Sequence, residues 1–185
     1  MGADHSQFLL SDKVEALITR LIEREKGYVD HPADNGGPTN YGITLAALAE
    51  WRRAPVTAFQ VKTLSEAEAR LIYRDRYFFK PGFDAIADPE FQEFLFDFAV
   101  NSGPGAAIIA LQTALKQMGL YSDKIDGGLG PNTRRAIAAC NNIPQLYYMT
   151  KCERYELLLR FIGRDARQAV FAAGWANRLD ELQDA

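Results

Sequence analysis

The chain has 185 residues and a mass of 20.7 kDa, enough for one good core or for a domain with a small appendage. Its 48% hydrophobic and 24% charged residues are those of an ordinary globular protein, and 21 basic against 24 acidic residues leave a net charge of −3. That balance excludes a protein living on phosphate backbones, and no run approaches the roughly 20 apolar residues of a membrane span.

Periodicity predicts helix almost everywhere. Asp12 is placed to cap a first helix carrying Val14, Leu17, Ile18, Leu21 and Ile22, with Gly27 as its C′ residue. Residues 28–44 are dense in Gly, Pro, Asn and Asp, which predicts a shaped loop or a short β-ribbon. Thr44 restarts a helix through Trp51. Thr63 or Ser65, each with a Glu three residues on, opens a capping box for a helix running to about Phe78. Pro81-Gly82 ends it, and Pro89 opens a helix with Phe91, Phe94, Leu95, Phe98 and Ala99 on one side. After Asn101-Ser-Gly-Pro-Gly comes a helix of Ala107, Ile108, Leu111, Leu115 and Met118. A polar Gly-rich loop at 122–130 follows, then Pro131 at N1 and three more helical stretches. The expected seam lies near 101–105.

Several chemistries are excluded by what the chain lacks. Cys140 and Cys152 cannot build a disulfide framework and are expected as free thiols in helices. His5 and His31 stand without HExxH or CxxC spacing, so neither a metal nor any other cofactor is expected. No GxSxG elbow or Ser–His pair supports acyl-enzyme chemistry. Gly103 and Gly105 fail the dinucleotide pattern, with Ile108 where the third Gly belongs.

Glu25 is the most informative residue. At about 100° per residue it projects roughly 20° from Val14, along the middle of the apolar stripe, while Glu23 falls on the far side. A carboxyl at the end of such a stripe is partly desolvated, which raises its pKa toward that of a general acid at neutral pH. A bland alternative is a Glu that caps a loop amide or pairs with Arg70 or Arg74. The following loop supplies Asp34 and Thr39, which a fold-back across the helix end brings toward Glu25. Glycoside hydrolysis needs such a set: an acid for the leaving oxygen and a second group for water or the oxocarbenium ion. Gly36-Gly37-Pro38 lets backbone approach a sugar ring, and Tyr28 and Tyr41 offer flat apolar faces, or simply pack at the core edge.

Glu25-Lys-Gly-Tyr28, Asp34-Asn-Gly-Gly-Pro-Thr39 and Tyr41-Gly-Ile-Thr44 resemble the signature of glycoside hydrolase family 108, bacterial and phage N-acetylmuramidases. Lys26 departs from the pattern, which usually has Gly there. Phe96-Asp97-Phe98-Ala99-Val100-Asn101-Ser102-Gly103 resembles the end of the family's catalytic segment. Ala110-Leu111-Gln112, Asp126-Gly127, Gly130-Pro131 and Thr133 resemble a predicted peptidoglycan-binding domain, and Gly174-Trp175-Ala176-Asn177-Arg178 its usual tail. The resemblance implies a mainly α, lysozyme-like fold with the irregular loop or ribbon after the first helix. It also implies a catalytic segment at 10–100 and a peptidoglycan-binding segment at 101–185, with room for both to pack as one body.

By the same resemblance Glu25 is the catalytic acid, and the Glu, Asp, Thr order is similar to that of phage-type lysozymes, giving Asp34 with Thr39 the second role, handling water or the developing positive charge. Tyr28, Tyr41, Asp97 and Asn101 are the candidate substrate contacts, with a buried strut as the alternative for Asp97. Asp126 and its glycines are expected to shape a turn, and Trp175 to pack in a core or seam. The activity implied is cleavage of the β-1,4 bond between N-acetylmuramic acid and N-acetylglucosamine. A lytic transglycosylase and a non-catalytic wall-binding or secretion accessory protein remain as rivals. The partner expected is the glycan strand of peptidoglycan, met by a monomer. Met1-Gly-Ala-Asp-His-Ser-Gln7 has no secretory-leader pattern, so synthesis in the cytoplasm and release through a holin or dedicated secretion route to the wall or periplasm are expected.

Overall fold

The computed structural model describes residues 5–24, 27–30 and 37–164. Helix α1 (His5–Arg24) turns Val14, Leu17, Ile18, Leu21 and Ile22 into the core and leaves Glu23 and Arg24 exposed, so the apolar stripe reads as the spacing predicts. Asp12 is not its cap. It lies a full two turns inside the helix on the exposed side, where an Asp costs little because water satisfies its carboxylate. Gly27 has φ 97°, the left-handed geometry of a C′ glycine.

Three two-residue strands form the predicted ribbon: β1 (Tyr28–Val29), β2 (Thr39–Asn40) and β3 (Ile43–Thr44), antiparallel in that order. Thr44 then caps α2 (Leu45–Arg52), its Oγ1 accepting from the Ala47 N–H at 3.1 Å. The capping box falls elsewhere than expected. Thr57 and Gln60 exchange side-chain and backbone bonds to open α3 (Ala58–Lys62), a helix the periodicity did not announce because it is barely one turn long. Ser65 caps α4 (Glu66–Ile72) by accepting from the Glu68 N–H, while the Glu68 carboxylate turns to Arg52 instead of completing a box.

Beyond Ile72 the chain does not continue as α-helix. Residues Tyr73–Phe79 form a π-helical stretch whose last bond runs from the Lys80 N–H to the Asp75 carbonyl. The wider turn buries both Tyr73 and Phe78 and points Arg76 back to the Ala47 carbonyl and the Glu50 carboxylate.

The chain divides into two compact units, residues 1–80 and 81–185. In the second, a 3₁₀ turn (Phe83–Ala85) leads to α5 (Pro89–Ser102), with Pro89 at N1 and Asp88 capping the Phe91 N–H at 2.8 Å. Helix α5 is buried on more than one side: Phe96, Gln92 and Asp97 are covered along with the predicted Phe91, Phe94, Leu95, Phe98 and Ala99. It packs on α6 (Pro104–Gln117) and α8 (Ile143–Arg164), with the Phe94 and Tyr147 rings 4.8 Å apart. Between them α7 (Pro131–Ala138) follows the 118–130 loop. Cys152 is exposed on α8, whereas Cys140 is buried just past the end of α7, not within a helix. The third helical stretch expected after Pro131, and Trp175 with its motif, lie outside the described residues.

Candidate active site

The ribbon sets the only catalytic candidate that falls among the described residues. Thr39 stands in the central strand opposite Val29 and Thr44, while Asn40 stands opposite Tyr28 and Ile43. Directly opposed residues share a face and neighbours along a strand alternate. Thr39 therefore shares one face with Val29 and Thr44, and Tyr28, Asn40 and Ile43 share the other. The second face is the anchored one: Ile43 is buried, and the buried Asn40 donates through Nδ2 to the carbonyls of Val61 and Lys62 at 3.1 and 3.0 Å. Tyr28 and Thr39 are thus presented to different sides. Thr39 is half-buried, and the Leu45 N–H bonds the Pro38 carbonyl to close the strand against the start of α2.

Tyr41 makes the turn between β2 and β3 with φ 51°, a strained value for a non-glycine residue. Its carbonyl accepts from the Tyr73 hydroxyl, which roots the turn in the buried π-helical stretch. Sequence reasoning missed this anchor because Tyr73 falls in a pattern that reads as plain helix. Tyr28 donates its hydroxyl to Asp30 at 3.0 Å and carries the Lys62 ammonium over its ring. Its phenol is pushed up by partial desolvation first and by the Asp30 carboxylate second. A ring already covered by a cation on one side has a single face left for a sugar.

Glu25, Asp34, Lys26, His31 and Gly36 lie outside the described residues. Among the described residues Arg70 pairs with Glu66, Glu15 and the Thr19 hydroxyl, and Arg74 with Glu15.

In the second unit Asp97 is buried and ion-paired. Its Oδ2 accepts from Arg154 Nη2 at 2.9 Å, with side chains 9% and 4% exposed, and the guanidinium lies over the rings of Phe94 and Phe98. Asn101, one turn on, is exposed and donates Nδ2 to the Asp97 backbone carbonyl at 2.7 Å. The loop after α6 is shaped as expected, with Asp126 Oδ1 accepting from the Gly128 N–H. The organiser is a residue whose role its motif did not reveal. The fully buried Gln112 accepts at Oε1 from the N–H groups of Asp126 and Gly127, both at 3.0 Å. Its amide nitrogen faces Asp126 Oδ1, the Gly128 carbonyl and Thr133 Oγ1 at 2.8–3.1 Å. That contact, more than any other, holds the Asp126 carboxyl below its ordinary pKa.

A mainly helical body with a short antiparallel ribbon after its first helix is the lysozyme-like class of fold. Residues 18–103 match the model of glycosyl hydrolase 108 and residues 106–180 that of a predicted peptidoglycan domain. Together the two models cover most of the chain, the glycosyl hydrolase 108 model on its N-terminal side and the predicted peptidoglycan domain on its C-terminal side. It is similar to the solved structure of Brucella abortus SagA, at 29% identity over 94% of this chain and 93% of that one, with a TM-score of 0.81. No relative is found among curated protein sequences. The family boundary at 103–106 lies beyond the packing boundary at 80–81, because α5 belongs to the hydrolase match yet packs on α6 and α8. No helix among the described residues is long and apolar enough to cross a membrane.

Proposed function

We propose that the protein is a peptidoglycan N-acetylmuramidase that hydrolyses the β-1,4 bond between N-acetylmuramic acid and N-acetylglucosamine, with Glu25 as general acid. The match of residues 18–103 to glycosyl hydrolase 108 carries this reading, because it spans the Glu25, Asp34 and Thr39 positions. Two features of the scaffold support it. The stripe that ends at Ile22 faces the core, and helical arithmetic continues its line to Glu25. The ribbon fixes Thr39 on the face away from the Asn40 anchor.

In this mechanism the Glu25 carboxyl gives its proton to the glycosidic oxygen as the C1–O bond breaks, and a water adds to C1 of the oxocarbenium ion-like species. Asp34 accepts a proton from that water and Thr39 orients it. A carboxyl separation of roughly 6.5–9.5 Å accompanies that inverting course, against roughly 5–5.5 Å for a covalent nucleophile. Following the first-formed anomer by proton NMR decides between them: α supports Asp34 as the base, whereas β removes that role. The chain acts on the cell wall as a monomer, reached through a holin or a dedicated secretion route. Zymography on purified peptidoglycan with mass spectrometry of the fragments tests the activity. Reducing ends support hydrolysis, anhydromuramic ends mean a lytic transglycosylase, and no clearing leaves a wall-binding accessory protein.

A further inference from the structure

The second unit holds a cavity of about 280 Å³ whose lining includes none of the residues assigned to glycan hydrolysis. It is lined by Ile86 and Asp88 ahead of α5, by Leu129, by Arg134 and Ile137 of α7, and by Cys140. Ile86, Leu129 and Cys140 are buried and make its floor apolar. Arg134 is exposed but held in place. Its Nε donates to the Leu129 carbonyl at 3.0 Å, and its guanidinium lies against Gly82, where a Cβ would collide with Nη2. Gly82 also has φ 90°, so the position takes a side chain poorly on both counts. Among the described residues Arg134 forms no ion pair. The other charged lining group, Asp88, is engaged by the Phe91 N–H at the α5 N-terminus, where the helix dipole compensates its charge. What remains is a fixed guanidinium fork at the rim of an apolar hollow, the arrangement that recognises a carboxylate beside small apolar groups.

We propose that this cavity receives the carboxyl-terminal end of a peptidoglycan stem peptide. Arg134 pairs with the terminal carboxylate, and the alanyl methyl groups rest on Ile86, Leu129 and Ile137. The inference rests on the peptidoglycan reading above but concerns a different part of the polymer. N-acetylated sugars in the strand offer no free carboxylate, since the lactyl carboxyl is consumed in the amide to the peptide. The anionic groups are on the peptide. The volume lies just below the roughly 300–1,000 Å³ of ligand pockets, which suits one or two small residues better than an extended strand. Leu129, Arg134, Ile137 and Cys140 all fall within the segment matching a predicted peptidoglycan domain.

The test is titration of the ¹⁵N-labelled full chain with L-Ala-γ-D-Glu-L-Lys-D-Ala-D-Ala, its C-terminal amide, and chitotetraose. The free acid should shift resonances around Arg134 and Ile137, and the amide should bind at least tenfold more weakly, since a charge-assisted bond is lost. Arg134→Met should bring the acid down to the level of the amide. Ala138→Trp, filling the cavity from an exposed position on α7, should abolish acid binding, and neither change should alter the response to chitotetraose. Equal binding of acid and amide, no effect of either substitution, or no shift with the acid at about 10 mM overturns the proposal. These readouts involve no glycan cleavage, so failure here leaves the muramidase reading standing, and loss of that reading leaves the titration interpretable.

Discussion

Replacing Asp97 by Asn removes the one carboxylate that faces the Arg154 guanidinium among the described contacts, at a site where both side chains are less than a tenth exposed. Arg154 is poorly placed to absorb the loss. Its Nε and Nη1 are buried with no acceptor, so Oδ2 of Asp97 and the rings of Phe94 and Phe98 are its compensation. Removing one partner of a buried pair typically costs about 3–5 kcal/mol, because the remaining charge is left in a low-dielectric environment. For a chain of this size about 2–4 °C of Tm accompanies each kcal/mol, so Asp97→Asn should melt roughly 6–20 °C lower. Replacing the pair together, Asp97→Leu with Arg154→Met, should recover most of that loss, since a well-packed apolar substitute avoids both desolvation costs. Melts of Asp97→Leu, Arg154→Met and their double, read by circular dichroism beside Asp97→Asn, measure the coupling. Turnover on peptidoglycan well below the melt should stay near wild type in Asp97→Asn. The reasoning is refuted if Asp97→Asn melts within about 2 °C of wild type and instead loses affinity for glycan, for then Asp97 is a ligand and not a strut.

Gln112→Leu removes the four bonds an amide can make at once, leaving the Asp126 and Gly127 N–H groups without their acceptor; a loss of about 2–4 kcal/mol is expected, with faster hydrogen exchange at those two amides. A variant whose Gly127 exchange is unchanged contradicts that role. Tyr73→Phe keeps the buried ring but frees the Tyr41 carbonyl, and should cost about 1 kcal/mol together with a fall in kcat, since the turn beside Thr39 loses its anchor; a fall in stability with unchanged kcat separates the turn from the site. Glu68 is held below the ordinary value of 4.5 by its bonds to Arg52. Its pair therefore contributes fully above that value and fades as pH falls through the lowered one. The Tm gap between wild type and Glu68→Gln, small for a surface pair, should close on acidification below pH 4.5 and not on raising the pH.

Helix faces were the most legible part of this chain. The α1 stripe, the Thr44 cap, Pro89 and Pro131 at N1 and the Asp126 turn follow from local rules, and local rules are what a single sequence exposes. Misses came where a long-range partner decided the outcome. Glu68 forms no capping box because Arg52, 16 residues away, takes its carboxylate. The Tyr73–Phe79 stretch departs from α-helix where Tyr73 and Arg76 both have distant partners to reach. Asp97 and Asn101 share a helix side as their spacing implies, yet only the position of Arg154, 57 residues on, shows that Asp97 is enclosed. Gln112 sat inside a recognisable motif, but a buried amide with both ends engaged cannot be told from an exposed one by residue type. For the site itself, Thr39 and Tyr28 are separated by strand alternation that becomes readable once the register of the ribbon is known.

The central claim turns on one proton, so the most direct measurement is the digestion of purified peptidoglycan by wild type and by Glu25→Gln, with reducing ends counted and fragments weighed. The amide keeps the shape of the side chain and gives up no proton. Wild type should release reducing-end N-acetylmuramic acid, and Glu25→Gln, at an unchanged melt, should lose at least about 10²-fold in rate. A Glu25→Gln enzyme that keeps more than about a tenth of wild-type turnover would contradict the account, since loss of a general acid costs far more than that.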